Sequence, residues 1–269
     1  MRKLKIDAYT VLEKVRKENP IIHHLTNWVT IYDCANVVKV FGASPVMAHA
    51  PQEAGQMAGI SSALVLNIGT LTEELVEAMK IAAVSANKKG IPVILDTCGA
   101  GATGLRDRSC LWLLHETKID IIKGNASEIA AIAGEDVSTR GVDSGRVETN
   151  MKKLAKKLAL QRRCTVVVTG KDDIICNGKK TFIVSNGHPL MSHIVGTGCM
   201  AASVIGTFAA VEKDLAYAAA AGLVCFEVAA ECAAKKAKGP GTFKEFFYDC
   251  VYALDKKTIN SMQKVCEIE

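Results

Sequence analysis

The chain of 269 residues is poor in aromatic side chains, which make up 5% of it, and it carries no dense basic stripe. Nucleic-acid binders combine clustered cations with rings for stacking, so this composition speaks against a polynucleotide partner. Cys-x-x-Cys pairs are missing, and the ten cysteines are scattered through a long chain rather than packed into a short one. The expectation is free thiols in a reducing cytosol instead of a disulfide framework. Met1-Arg2-Lys3-Leu4-Lys5-Ile6-Asp7 has no apolar stretch behind its charges and does not read as a secretory signal. The apolar tracts from Cys199 to Val211 and from Leu215 to Phe226 are cut by Glu212, Lys213, Asp214 and Glu227 before reaching bilayer length, so no membrane segment is expected. Repeats, low-complexity tracts and linker-like stretches are also lacking. The expectation is one domain over residues 1–269, in the cytoplasm.

What is present suits a packed core: 49% of residues are hydrophobic and 23% charged. The net charge of +5, from 33 basic and 28 acidic residues, lies largely on helix faces such as Met151 to Lys157 and lends solubility and attraction for anions. Short β-branched runs alternate with longer helical patterns, the mark of an α/β fold with a central, mainly parallel sheet flanked by helices. Residues 63–68, 92–96, 119–122 and 165–169 are the expected inner strands, each apolar on both faces. Val147, Met151, Leu154 and Leu158 recur at spacings of four, three and four, which predicts a surface helix, and Thr72 to Lys88 reads the same way. Asn177-Gly178 inside Asp173 to Ser185 predicts an antiparallel hairpin at the sheet edge. Beyond Cys199 the chain reads as helical and alanine-rich.

Ligands of open parallel sheets sit beyond the carboxyl ends of the strands, so polar or glycine-rich segments directly after a strand are where chemistry is sought. Val195-Gly196-Thr197-Gly198-Cys199 precedes a helix of small residues. Its glycines allow close backbone approach, and the first helical turn offers free N–H groups to a phosphate; the alternative is an ordinary loop leading tightly into a helix. Lys123-Gly124-Asn125-Ala126-Ser127-Glu128 follows an inner strand and opens a helix. Glu128 can hold a hydrated cation there, or close a capping box on Asn125. Asp96 ends another inner strand in Asp96-Thr97-Cys98-Gly99, and it and Glu128 could share one hydrated Mg²⁺. Val168-Thr169-Gly170 runs from a strand into a turn, either a phosphate contact or a plain hairpin connection. His23-His24 invites a zinc reading, but adjacent residues diverge and no third ligand is suitably spaced.

These segments resemble hydroxyethylthiazole kinases of thiamin salvage, in the ribokinase-like superfamily, from about Asn19 to about Phe226. Most of that superfamily carries an aspartate after its glycine pair; Cys199 in Gly-Thr-Gly-Cys resembles the thiazole kinases instead. Asn186-Gly187-His188-Pro189-Leu190-Met191, His24 to Val29 and Gly42-Ala43-Ser44-Pro45-Val46-Met47 are also similar to that family. The resemblance implies a ribokinase-like fold and transfer of the ATP γ-phosphoryl to the alcohol of 4-methyl-5-(2-hydroxyethyl)thiazole. It assigns Cys199 and Gly198 to catalysis, and Met47, Gly196 and Asn27 to the substrate. It assigns Lys123 and Thr169 to ATP, and Asp96 and Glu128 to Mg²⁺. It also implies a homotrimer with sites between subunits. Thr97-Cys98 stands where the family reads Pro-Val, Lys123 where it commonly has arginine, and Tyr32 where close relatives have asparagine. Rival readings are a kinase or repair dehydratase for another substrate on the same fold, a nicotinamide-dependent dehydrogenase using Gly99 to Gly104, and a binding protein that has lost catalysis.

Overall fold

The computed structural model describes residues 2–3, 6–134 and 144–268, the side chains of 2–3 and 144–150 excepted. The described strands are β1 (Arg2–Lys3), β2 (Ile21–Leu25), β3 (Ser44–Val46), β4 (Ala63–Asn67), β5 (Val93–Asp96), β6 (Ile121–Asn125), β7 (Thr165–Thr169), β8 (Asp173–Cys176), β9 (Thr181–Val184) and β10 (Val265–Ile268). They form one sheet in the order β1-β10-β9-β8-β7-β6-β5-β4-β2-β3. From β3 to β7 every pairing is parallel, and from β7 to β1 every pairing is antiparallel.

Side-chain alternation along the parallel strands divides the core in two. Val65, Ile94, Ile121 and Val167 face one layer, while Leu64, Leu66, Val93, Leu95, Ile122, Val166 and Val168 face the other. The first layer holds helices α1 (Ala8–Glu18), α2 (Ile31–Phe41), α8 (Thr197–Ala209), α9 (Leu215–Ala234), α10 (Pro240–Tyr252) and α11 (Lys256–Met262). The second holds α3 (Pro51–Ile60), α4 (Glu73–Lys89), α5 (Gly104–Glu116), α6 (Ala126–Ala133) and α7 (Ser144–Arg162). Met151, Leu154 and Leu158 are buried under α7, as their spacing requires; the side chain of Val147 lies outside the described residues.

Three differences from the sequence reading bear on the site. The strand expected to stop at Ile122 runs to Asn125 and pairs with β7 as far as Thr169, so Lys123 lies within the sheet. The antiparallel edge is wider than one hairpin: β10 and β1 extend it beyond β9. Helix α9 runs through Glu227 without a break and is long and apolar enough to cross a membrane, but it is a core helix with most of its surface buried.

Small residues let α8 lie close on the sheet. A Cβ built on Gly206 would come within 2.5 Å of Val65 Cγ2, so glycine there sets the distance between helix and strand. That distance places the start of α8 over the carboxyl ends of β4, β5 and β6.

Candidate active site

Helix α8 begins at Gly196, in the left-handed conformation with φ 93°, and no side chain caps it. Met200 N donates to the Gly196 carbonyl at 2.8 Å, leaving the N–H groups of Thr197, Gly198 and Cys199 ahead of the first intrahelical bond. A Cβ added to Gly196 would collide with the Thr30 side chain, and one added to Gly198 would come within 3.3 Å of Lys123 Nζ. The turn is therefore built against a lysine on one side and the loop after β2 on the other.

Asp96, at the end of β5, is fully buried. Lys123 Nζ reaches its Oδ1 at 3.2 Å and Asn67 Nδ2 donates to its Oδ2 at 2.7 Å. Burial pushes the Asp96 carboxyl up against the pull of Lys123. Burial also works against the Lys123 charge, but Asp96 and Glu128 outweigh it and raise the lysine, which stays an ammonium.

Asn67 is the node of the cluster, and in the sequence it lies unremarked within the expected inner strand 63–68. Its amide nitrogen also donates to Cys199 Sγ at 3.3 Å, while its oxygen accepts from Asn27 Nδ2 at 2.9 Å and from Gly69 N at 2.9 Å. Asn27 Nδ2 contacts the same sulfur at 3.4 Å, and Asn27 Oδ1 accepts from the Thr30 amide and hydroxyl. A sulfur surrounded by donors is held as an acceptor. The Cys98 thiol is the largest influence, joined by Thr30, Lys123 and Asn27; against burial they bring Cys199 down to about 5. Cys98, one of the two residues that depart from Pro-Val, is thus the neighbour that most favours the charged form of this sulfur.

Glu128 takes the capping-box role and a second one. Its Oε2 accepts from Asn125 N at 2.8 Å while Asn125 Oδ1 accepts from Glu128 N at 3.0 Å. Its Oε1 accepts from Gly99 N at 2.8 Å, tying the loop after β5 to the start of α6. That carboxylate sits where the Gly99 to Gly104 loop would have to receive a dinucleotide phosphate, which weighs against the dehydrogenase reading.

Thr169, at the end of β7, donates through its hydroxyl to the Gly124 carbonyl at 3.3 Å. With Gly170, Asn186, His188, Thr197 and Gly198 it lines a cleft of about 630 Å³ whose apolar wall is Leu223 and Phe226 of α9. Met47 follows β3 on the far side of Asn27, and no described contact joins its side chain to Cys199. His49 links the two segments, through the Met47 carbonyl at 3.1 Å and the Thr26 amide at 3.0 Å.

A rim of this kind can seat a polyphosphate on helix amides and a lysine, with a hydroxyl beside Cys199; on this sheet it defines a ribokinase-like small-molecule kinase. A ribokinase-like superfamily protein from Enterococcus faecalis V583 has the same fold, with a TM-score of 0.65 at 12% identity over 93% of this chain and 98% of that one. More specifically, the chain belongs to the Hydroxyethylthiazole kinase family, whose profile matches residues 12–257. It is 53% identical to the hydroxyethylthiazole kinase of Methanosarcina mazei over 96% of this chain and 98% of that protein. It is 44% identical to that of Desulfatibacillum aliphaticivorans over 96% of each. The solved structure of the hydroxyethylthiazole kinase from Pyrococcus horikoshii OT3 superposes with a TM-score of 0.90 at 39% identity, over 97% of this chain and 99% of that one.

Proposed function

We propose that the chain is a kinase for 4-methyl-5-(2-hydroxyethyl)thiazole, transferring the γ-phosphoryl of ATP to its hydroxyl in thiamin salvage. The observation that carries this reading is one hydrogen-bonded cluster joining strand-end Asp96, Lys123 and Asn67 to Cys199 on the uncapped turn of α8. Phosphoryl transfer needs little more from a protein than positioning and charge neutralisation. The amides of Thr197 to Cys199 and the Lys123 ammonium receive the transferring group, with Thr169 at the other side of the phosphates. Cys199, held by Asn27 and Asn67, orients the substrate hydroxyl and accepts its proton. Asn27 reaches the substrate side through that sulfur, and Met47 gives apolar contact to the ring.

Asp96 and Glu128 suit a hydrated Mg²⁺. They are oxygen donors at the end of β5 and in the first turn of α6, close enough that Glu128 adds to the cost of ionising Asp96. No group of three His, Cys, Asp or Glu side chains suited to a metal occurs among the described residues, so an ion held by this pair would take its remaining ligands from water and phosphate. Bound there, the ion neutralises phosphate charge.

A homotrimer with sites between subunits is supported by Trp28, Val29, Tyr32 and Val195, large apolar side chains exposed around the Thr30–Gly196 contact. One kinase domain in the cytoplasm fits a single sheet drawing on strands from Arg2 to Ile268 and ten free cysteines. A coupled assay of ADP release with the thiazole alcohol, against hydroxymethylpyrimidine and no acceptor, tests the reading. Turnover only with the thiazole is the expected result, and equal turnover with the pyrimidine would overturn it.

A further inference from the structure

The wall of the nucleotide cleft contains two carboxyl groups that the mechanism above does not use. Asp173 is the first residue of β8 and is 3% exposed; its Oδ1 accepts the Gly170 N–H at 2.9 Å, which ties down the turn after Thr169. Glu227, 7% exposed, comes from α9 on the other side, and its Oε2 has no conventional donor among the described residues. Both residues line the cleft, and α9 packs on β8 there, so the two buried carboxyl groups face the same space. Carboxylates only accept, so a bond between two of them requires a proton on one. A proton on Glu227 Oε2 accounts for the oxygen that otherwise lacks a partner.

The surroundings agree. Burial, then Asp173, and beyond it Glu231 and Asp172, all favour the neutral form of Glu227 and raise it. Burial raises Asp173 too, while a proton on Glu227, the Gly170 amide and Lys123 favour its charge. From the neighbouring elements, Lys264 is engaged with Glu231 at 2.9 Å, and the His188 ring accepts the Leu190 amide at 3.2 Å. No cation pairs with Glu227 among the described residues.

We propose that Glu227 is a positioning residue for the nucleotide: the proton it shares with Asp173 keeps Asp173 on the Gly170 amide and keeps this wall from carrying a second negative charge. The inference rests on reading the cleft as the ATP site. Loss of the proton leaves two buried anions side by side, facing a ligand that is itself polyanionic. Asp173 is then driven off Gly170, and nucleotide affinity falls as pH rises.

The test compares wild type with Glu227→Gln, whose amide keeps a donor to Asp173 at every pH, and with Glu227→Ala, which keeps none. The Kd for ATP by calorimetry and the KM for ATP are followed from about pH 6 to about pH 10. For wild type both should climb, approaching about tenfold per pH unit once the pair has lost its proton. Glu227→Gln should remove that climb, and Glu227→Ala should start weak and stay weak. Identical pH profiles for wild type and Glu227→Gln would overturn the proposal, as would a Gln variant as weak as the Ala variant at neutral pH. Infrared difference spectra of the nucleotide-free protein give a second readout. A protonated carboxyl band should be present in wild type and lost in Glu227→Gln, and its absence from wild type would overturn the proposal. A wild type with that band but no affinity for ATP would sink the kinase reading of the cleft and, with it, the positioning role, leaving only the shared proton.

Discussion

Asn67 makes as many of the site's hydrogen bonds as Asn27, the best connected of the residues singled out in the sequence. One amide nitrogen serves both Asp96 and Cys199, so the residue proposed for the metal and the one proposed for the hydroxyl are positioned by the same side chain. Asn67→Ala should lower kcat by about 100-fold, the typical result of displacing reacting groups by an ångström, and leave the Kd for ATP nearly unchanged; steady-state kinetics with calorimetry checks both. Cys199→Ala should lower turnover and retain nucleotide binding, and an alanine variant with full turnover would remove the catalytic role. Asp96→Ala and Glu128→Ala should each raise the Mg²⁺ concentration needed for half-maximal rate, which an unchanged metal titration would contradict. Glu128→Ala also opens a capping box and should cost about 1 kcal/mol of stability, seen in denaturant melts. Asn67 is inconspicuous in the sequence because it is neither a glycine nor a charge after a strand, and an uncharged amide closing an apolar run looks like the end of a strand. Asp96 and Lys123 stood out because each ends an apolar run with a charge, whereas Cys199 was singled out through the family resemblance.

The inner strands were readable because both faces of β4 to β7 are buried, which forces continuous apolar runs. Strand β2 was not: His23 and His24 occupy its centre, and both are buried as neutral rings, burial pushing His24 down to about 3. Strand β10 is four residues long and owes its place to pairing with β9 and β1, a non-local partnership that no short window contains. Lys123 appeared to lie beyond its strand because a lysine rarely sits in a parallel sheet; its partner Asp96, on the adjacent strand, is what permits it. Helix α8 gives the test at this scale. Gly206→Ala puts a methyl group against Val65 and should destabilise the fold by about 1–3 kcal/mol, with a matching loss of activity as the α8 turn is lifted from Asn67. Thermal melts and kcat on the same sample check that the two losses go together.

For the molecule as a whole, the exposed Tyr32 and Val195 are 75% and 71% accessible in the isolated chain, beside the turn that opens α8. Light scattering should show a trimer, and Val195→Glu should shift it toward monomer and raise the KM for the thiazole; a lone monomer from wild type would contradict the assembly. Stability should also depend on pH in a defined direction. Glu227 is raised in the fold, so the folded chain keeps a proton that the unfolded chain loses above the ordinary carboxylate range. Its contribution is fully present below that range and is lost as pH rises toward its folded titration. Glu227→Gln should therefore gain melting temperature over wild type, increasingly so at alkaline pH.

The two oxygens of Glu128 hold separate loops, one arriving from β5 and the other opening α6, through bonds made entirely within the chain. Two stretches of backbone that would otherwise have to be ordered by an incoming nucleotide are already stapled together. The entropy of arranging them has been met at folding, so more of the contact energy with ATP is left to appear as affinity.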